Sequence, residues 1–291
     1  MKMKRNLPWL FLLLPFCVQA QISGRLLDSE THEPIPYVQI SIDHPKTHTY
    51  STENGRFSFS NLDKNNDYLL QIDALGYFYK EIHSSELNDN SDILLELNAE
   101  ILPELYIIPE NAKTKIRTYG QTKEGKFTES ASWCGNYSKT KYLNPKNQEI
   151  TGDEFGLLAK NKGLSKALSA HLFVGENDFD KAIIKIQLYD ASSGDPTNPI
   201  IHKPIIFNIV DKQTGWFKIN LEDKNIYIDS SIKKIALMAI LVQSEGEGCL
   251  ALSASFPSIS HLAIMKDFES GQLIKAPISF PLYLTVETYS W

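Results

Sequence analysis

The chain has 291 residues, 42% hydrophobic and 22% charged, with a formal net charge of −6. That balance belongs to a folded protein long enough for two ordinary domains, not to a disordered one. With 35 acidic against 29 basic residues and no Lys/Arg cluster, it lacks the basic footprint that nucleic acid or an anionic membrane surface requires, so neither is expected as a partner.

Residues 1–20 read as a secretory signal. Lys2, Lys4 and Arg5 make a basic start, Leu7 to Phe16 is an apolar run, and Val18-Gln19-Ala20 offers small residues for cleavage after Ala20. The run is too short to cross a bilayer, and no later apolar stretch is long enough for a membrane helix. Leu14 lies three residues before Cys17, the lipobox spacing, but Pro15 and Phe16 are bulky where that motif takes small side chains. Cleavage removes three basic residues and no acid, deepening the net charge from −6 to about −9. It also removes Cys17 and leaves Cys134 and Cys249. An oxidising compartment permits one bridge between them; the alternative is a buried thiol in the apolar run Cys249-Leu250-Ala251-Leu252.

The first domain, 21–98, reads as seven short strands near 21–29, 36–43, 47–53, 55–61, 68–75, 77–83 and 91–97. Val38, Ile40 and Ile42 share one face, as do Phe57 and Phe59. Asn54-Gly55 is a strong hairpin signal, because both residues tolerate positive φ. Pro34 and Pro36 fit a loop or an edge, where no ladder donor is needed.

Read in order, Gly24, Asp28, Thr31, Glu33-Pro34-Ile35-Pro36, Glu53-Asn54-Gly55-Arg56-Phe57 and Leu75-Gly76-Tyr77 carry a resemblance. The segment resembles the carboxypeptidase-regulatory-like domain, and departs from it at His32, where many members have Gly. The resemblance implies a seven-stranded prealbumin-like sandwich that is a non-catalytic accessory module, common in cell-envelope proteins of Bacteroidota.

Residues 99–130 read as a linker. Lys113, Lys115, Arg117, Lys123 and Lys126 are scattered through a polar stretch, as on a solvated connector. From 131 to 291 the β pattern returns, with candidate strands at 153–159, 168–174, 182–190, 203–209, 215–221, 233–243, 249–256, 260–266 and 280–289. Turn clusters such as Gly175-Glu176-Asn177-Asp178 and Gln213-Thr214-Gly215 separate them. That spacing predicts a larger antiparallel jelly-roll-like sandwich, so the chain is expected to be all-β. In the last strand Phe280, Leu282, Leu284 and Val286 face one way, and Tyr283, Thr285, Glu287 and Tyr289 the other. The segment Asp211 to Leu221 is similar to the sandwich that follows a regulatory-like domain in some Bacteroidota exports.

No catalytic constellation emerges. His83-Ser84-Ser85-Glu86 has His-x-x-Glu spacing, and His171 or His202 could complete a zinc set. Catalytic zinc needs three converging ligands and a base, however, and His83 closes a strand of the accessory module. There is no Gly-x-Ser-x-Gly elbow and no phosphate-binding Gly-rich loop. His44 and His48 flank a turn and are expected in solvent. A glycosidase needs two facing carboxylates, yet strands 182–190 and 233–243 carry Lys185 and no acid before Asp190. Glu176, Asn177, Asp178 and Asp180 read as an acidic turn before a Ca²⁺ site. No cofactor and no metal are expected.

Sugars stack on exposed rings, and Trp133, Tyr137, Tyr142, Trp216, Tyr283, Tyr289 and Trp291 are available. Tyr283, Tyr289 and Trp291 have the parity opposite to the aliphatic face and are the candidate glycan-stacking strip. The expectation is an exported, non-enzymatic envelope protein, in the periplasm or on the outer-membrane surface. Its partner is a polysaccharide, or an envelope protein joined by strand addition.

Overall fold

The computed structural model describes residues 22–59, 62–63, 65–88, 91–98, 106–134, 153–201, 204–258, 261–267 and 272–291. The expected signal segment, residues 1–20, lies outside them, as do Tyr137, Tyr142 and His202.

The N-terminal module has seven strands: β1 (Ile22–Asp28), β2 (Gln39–Asp43), β3 (Lys46–Tyr50), β4 (Arg56–Phe59), β5 (Leu69–Asp73), β6 (Lys80–His83) and β7 (Ser91–Leu95). They form two sheets, β4-β1-β7 and β3-β2-β5-β6. β1 and β7 run parallel, and the other neighbours antiparallel. Period-two alternation turns Ile40, Ile42, Phe57, Phe59, Leu70 and Ile72 into one core between the sheets. Gly55 takes φ +73°, the left-handed conformation that the Asn-Gly turn requires.

The quoted motif residues hold this module together. Asp28 Oδ1 accepts the amides of Glu30 (2.9 Å) and Thr31 (2.8 Å), and the Tyr77 hydroxyl donates to Asp28 Oδ2 (3.0 Å). The Thr31 amide above all holds the Asp28 carboxyl below the usual carboxylate range, against the opposing effect of burial. A loop at one end of the module is thereby tied to Tyr77, 49 residues on.

The second domain contains β8 (Lys113–Gly120), β9 (Phe127–Cys134), β10 (Glu154–Lys160), β11 (Ser165–Asn177), β12 (Lys181–Asp190), β13 (Ile205–Val210) and β14 (Gly215–Asn220). It continues with β15 (Tyr227–Ile228), β16 (Lys234–Glu245), β17 (Cys249–Ala254), β18 (Ala263–Lys266), β19 (Leu273–Ala276) and β20 (Leu282–Ser290). One sheet has the order β13-β12-β16-β10-β18-β19. The other has the order β8-β20-β11-β17-β9, with β14 and β15 also paired to β11. Ile184, Ile186 and Leu237 of the first sheet meet Leu172, Leu252 and Leu284 of the second in one core. The protein is all-β and the second domain is an antiparallel sandwich.

The expected linker, 99–130, is corrected by the pairing. Residues 113–120 form strand β8, matched to β20 from Gly120–Tyr283 to Lys113–Ser290, and β9 begins at Phe127. An edge strand is held by ladder hydrogen bonds and needs no apolar face, and only Tyr119 and Gly120 of β8 are buried. Its polar sequence therefore looks like a connector. Cys134 and Cys249 lie directly opposite each other on β9 and β17 and form a disulfide.

The N-terminal module sits on the outer face of the six-stranded sheet. Tyr37 and Tyr50 pack on Ile183, Ile206, Ile240 and Val242. His48, expected in solvent, is buried beside them, edge-on to Tyr50 at 5.6 Å, because β3 turns both rings toward the second domain. A cross-strand row on the same face runs Lys185–Ile240–Glu154–Lys266. Lys266 pairs with Glu154 at 3.1 Å, and the Lys185 ammonium lies 5.4 Å from the Tyr50 ring centre. Burial pulls the Lys185 ammonium down to about 8, against the opposing pull of Glu154.

Candidate functional site

The outer face of the seven-stranded sheet carries the molecule's aromatic platform. It is built from β20, β11 and β14, each alternating an inward apolar residue with an outward one. In β20, Leu282, Leu284 and Val286 are buried, while Tyr283, Thr285 and Glu287 are half-buried on the outside. In β14, Phe217 and Ile219 pack on the core and Trp216, Lys218 and Asn220 are exposed. A bulge between Ala167 and Ser169 resets β11, so that His171 and Phe173 point outward with them.

Register then assembles rows across the three strands. Tyr283, His171 and Lys218 are successive cross-strand partners, and Phe173 lies opposite Trp216. The Tyr283 and His171 rings stack at 4.2 Å, only 7° from parallel. Trp216 meets Tyr283 at 5.3 Å and Phe173 at 5.4 Å, both edge-on. The four rings form one cluster with Trp216, 37% exposed, as its outermost member. Opposite Tyr283 stands Gly120 at φ +123°, where a Cβ would come within 2.9 Å of the Tyr283 Cα. Glycine is required there by backbone conformation and by space alike.

A polar shelf borders the rings. Thr118, Thr285, Ser169 and Asn220 form the neighbouring row. His171 Nε2 lies 2.8 Å from Ser169 Oγ and 3.5 Å from Thr285 Oγ1, which fixes its ring in the stack. Burial, aided by the Lys218 charge, lowers the His171 imidazole below its ordinary value, so it is neutral near pH 7. Apolar ring surface beside hydroxyls and an amide is what a pyranose offers and accepts.

The sequence-predicted residues distribute unevenly over this face. Tyr283 is at its centre. Tyr289 shares the face but lies six residues along β20, roughly 20 Å away, and donates to Glu287 Oε2 at 2.7 Å. Near it, Tyr227 packs on Tyr106 at 5.1 Å and lies beneath the Lys166 ammonium at 6.0 Å. Trp291 follows the last strand and is 74% exposed. The expected strip of Tyr283, Tyr289 and Trp291 is thus not a single cluster. Trp133 is a core residue, fully buried, its indole N–H donating to the Asp153 carbonyl at 2.9 Å. His171 and Phe173 were missed as platform members. Their alternation was visible, but their placement between β20 and β14 depends on a register that the sequence does not state.

The other chemical candidates dissolve into local structure. His83 Nδ1 lies 2.8 Å from Asp67 Oδ2, and Glu86 accepts the His83 amide, both within the N-terminal module and apart from His171. Among the described residues no group of three or more His, Cys, Asp and Glu is placed to hold a metal ion. In the acidic turn, Asp178 Oδ2 accepts the Cys249 amide, Asn177 Oδ1 accepts the Phe179 amide, and Asp180 pairs with Lys212 at 3.6 Å. These side chains shape the turn.

Residues 22–106 match the family model of the CarboxypepD_reg-like domain, and the N-terminal module is a domain of that family. The match runs through the end of the module as far as Tyr106. A comparison with curated proteins found no match. Among solved structures, the chain is similar to a Bacteroides uniformis protein described provisionally as carbohydrate binding. The likeness has 11% identity over 90% of this chain and 98% of that one, with a TM-score of 0.20. At that level it carries no argument about function.

Proposed function

We propose that this is an exported, non-enzymatic binding protein of the cell envelope that holds polysaccharide on the outer face of its seven-stranded sheet. The observation that carries the reading is the four-ring cluster of Tyr283, His171, Phe173 and Trp216, edged by Thr118, Thr285 and Asn220. Sugar faces are apolar and their rims are hydroxyls, so ring stacking beside short polar side chains matches them on both counts. On the opposite sheet the carboxypeptidase-regulatory-like domain covers Ile183, Ile240 and Val242 through Tyr37 and Tyr50, whereas the rings of this face are half-buried to exposed. The disulfide joining Cys134 to Cys249 is consistent with an oxidising compartment, in keeping with the secretory signal read from residues 1–20.

Affinity electrophoresis of the chain from residue 21, through gels cast with a panel of polysaccharides, tests this. The expected result is retardation by at least one glycan, lost on Trp216→Ala or Tyr283→Ala with the fold intact. Losing one stacked ring should weaken binding about tenfold. Equal migration in every gel contradicts the reading and turns the search to protein partners.

A further inference from the structure

The charge around the platform is one-sided. In the three rows that hold the rings and the polar shelf, Lys218 is the single fixed charge. It is exposed, stands directly across from His171, and forms no ion pair among the described residues. No carboxylate occupies those rows. The nearest acid along β20, Glu287, belongs to the next row, where it lies opposite Lys166 and accepts the Tyr289 hydroxyl. This absence falls on a chain with 35 acidic residues and a net charge of −6. Four described lysines elsewhere pair with acids: Lys181 with Glu245, Lys212 with Asp180, Lys266 with Glu154 and Lys275 with Asp195. Glu222 follows two residues after Asn220, beyond those rows; a lysine without an ion pair in rows that hold no acid is a ready donor for an anion arriving with the ligand.

We infer that the platform is built for acidic polysaccharides, with Trp216 and its ring neighbours stacking a sugar and Lys218 receiving the carboxylate of a uronic acid residue. The inference rests on the platform reading above and adds to it the ligand's charge. Distance supports the division of labour. Lys218 and Trp216 lie two residues apart on β14, roughly 7 Å along the strand, about the width of one pyranose with its carboxylate. A neutral His171 contributes ring surface without a second charge. The ammonium's three donors impose no fixed geometry, so the site reads charge without demanding one stereochemistry of uronate.

The test is affinity electrophoresis of the chain from residue 21 in gels holding polygalacturonate or alginate, each run beside its carboxyl-esterified form, with neutral xylan as a fifth gel. The expected result is retardation by an acidic form. Esterification and Lys218→Gln should each weaken that retardation at least about tenfold, while Lys218→Arg preserves it. Trp216→Ala should also abolish it, with circular dichroism confirming that every variant is folded. Equal retardation by acidic and esterified forms, sensitive to Trp216→Ala but not to Lys218→Gln, overturns the acidic preference and leaves the platform standing. Retardation by the acidic forms that survives Trp216→Ala overturns it as well, since it would be polyanion binding elsewhere. Migration unchanged in all five gels contradicts both the inference and the platform.

Discussion

β16 and β20 run through opposite sheets of one sandwich, and their burial patterns differ in a way that locates the two working surfaces. From Ile235 to Val242 every residue of β16 is buried, on both faces. Along β20 buried and half-buried residues alternate strictly from Leu282 to Tyr289. A strand buried on both faces has something packed on each side, whereas an alternating one faces a core on one side only. For β16 the second cover at Ile240 and Val242 is the carboxypeptidase-regulatory-like domain, through Tyr37 and Tyr50, while Ala236 and Met238 pack with Ala191 and Ile264 of their own domain. For β20 the second face is the aromatic platform. One sheet joins the two domains, and the other carries the face proposed above to bind polysaccharide.

The contrast can be broken at several points. The largest effect belongs to the disulfide, which clips β9 to β17 in the open sheet across 115 residues of sequence. Cys134→Ser with Cys249→Ser should lower the unfolding free energy by about 4 kcal/mol, read by urea denaturation. An unchanged midpoint would show that the clip is dispensable. On the covered face, Tyr50→Ala removes a buried ring and should cost about 3 kcal/mol. Calorimetry should then resolve the single transition into two as the domains uncouple, and a single unshifted transition would argue against a shared interface.

Lys185 gives a gain instead of a loss. Its ammonium is held near 8 by burial, below the roughly 10.4 of an unfolded lysine. The unfolded chain therefore binds the proton more tightly, so stability should rise as pH climbs from about 8 toward 10. Lys185→Met should raise stability at pH 7 by about 2 kcal/mol and flatten that rise, and a loss of stability would mean that the Tyr50 contact outweighs the cost of burial. The smallest stability effect is expected on the open face. Trp216→Ala should shift the unfolding free energy by less than about 1 kcal/mol while removing glycan retardation. A large destabilisation there would make the rings structural.

Much of this was legible in the sequence. All seven strands of the first domain and the nine named in the second are present, because alternation and turn residues such as Asn54-Gly55 are local signals. The edge strand β8 was hidden, since Lys113 to Thr118 carry no apolar pattern to read. The docking of the two domains had a signal in the continuous apolar run from Ile235 to Val242, which marks a strand covered on both faces. Tyr283 was legible from parity within one strand. His171, Phe173 and Lys218 became its neighbours only through pairing of β11 with β20 and β14, a long-range register that no local pattern encodes.

Hydroxyl-radical footprinting of the free protein, repeated with a glycan that retards it, reads both faces in one experiment. Trp216 and Tyr283 should be oxidised when free and protected when the glycan is present. Tyr37 and Tyr50, buried between the two domains, should stay unmodified throughout. Oxidation of Tyr37 and Tyr50 as fast as Trp216, or glycan protection that spares Trp216, would contradict the assignment of one face to the joint and the other to the ligand.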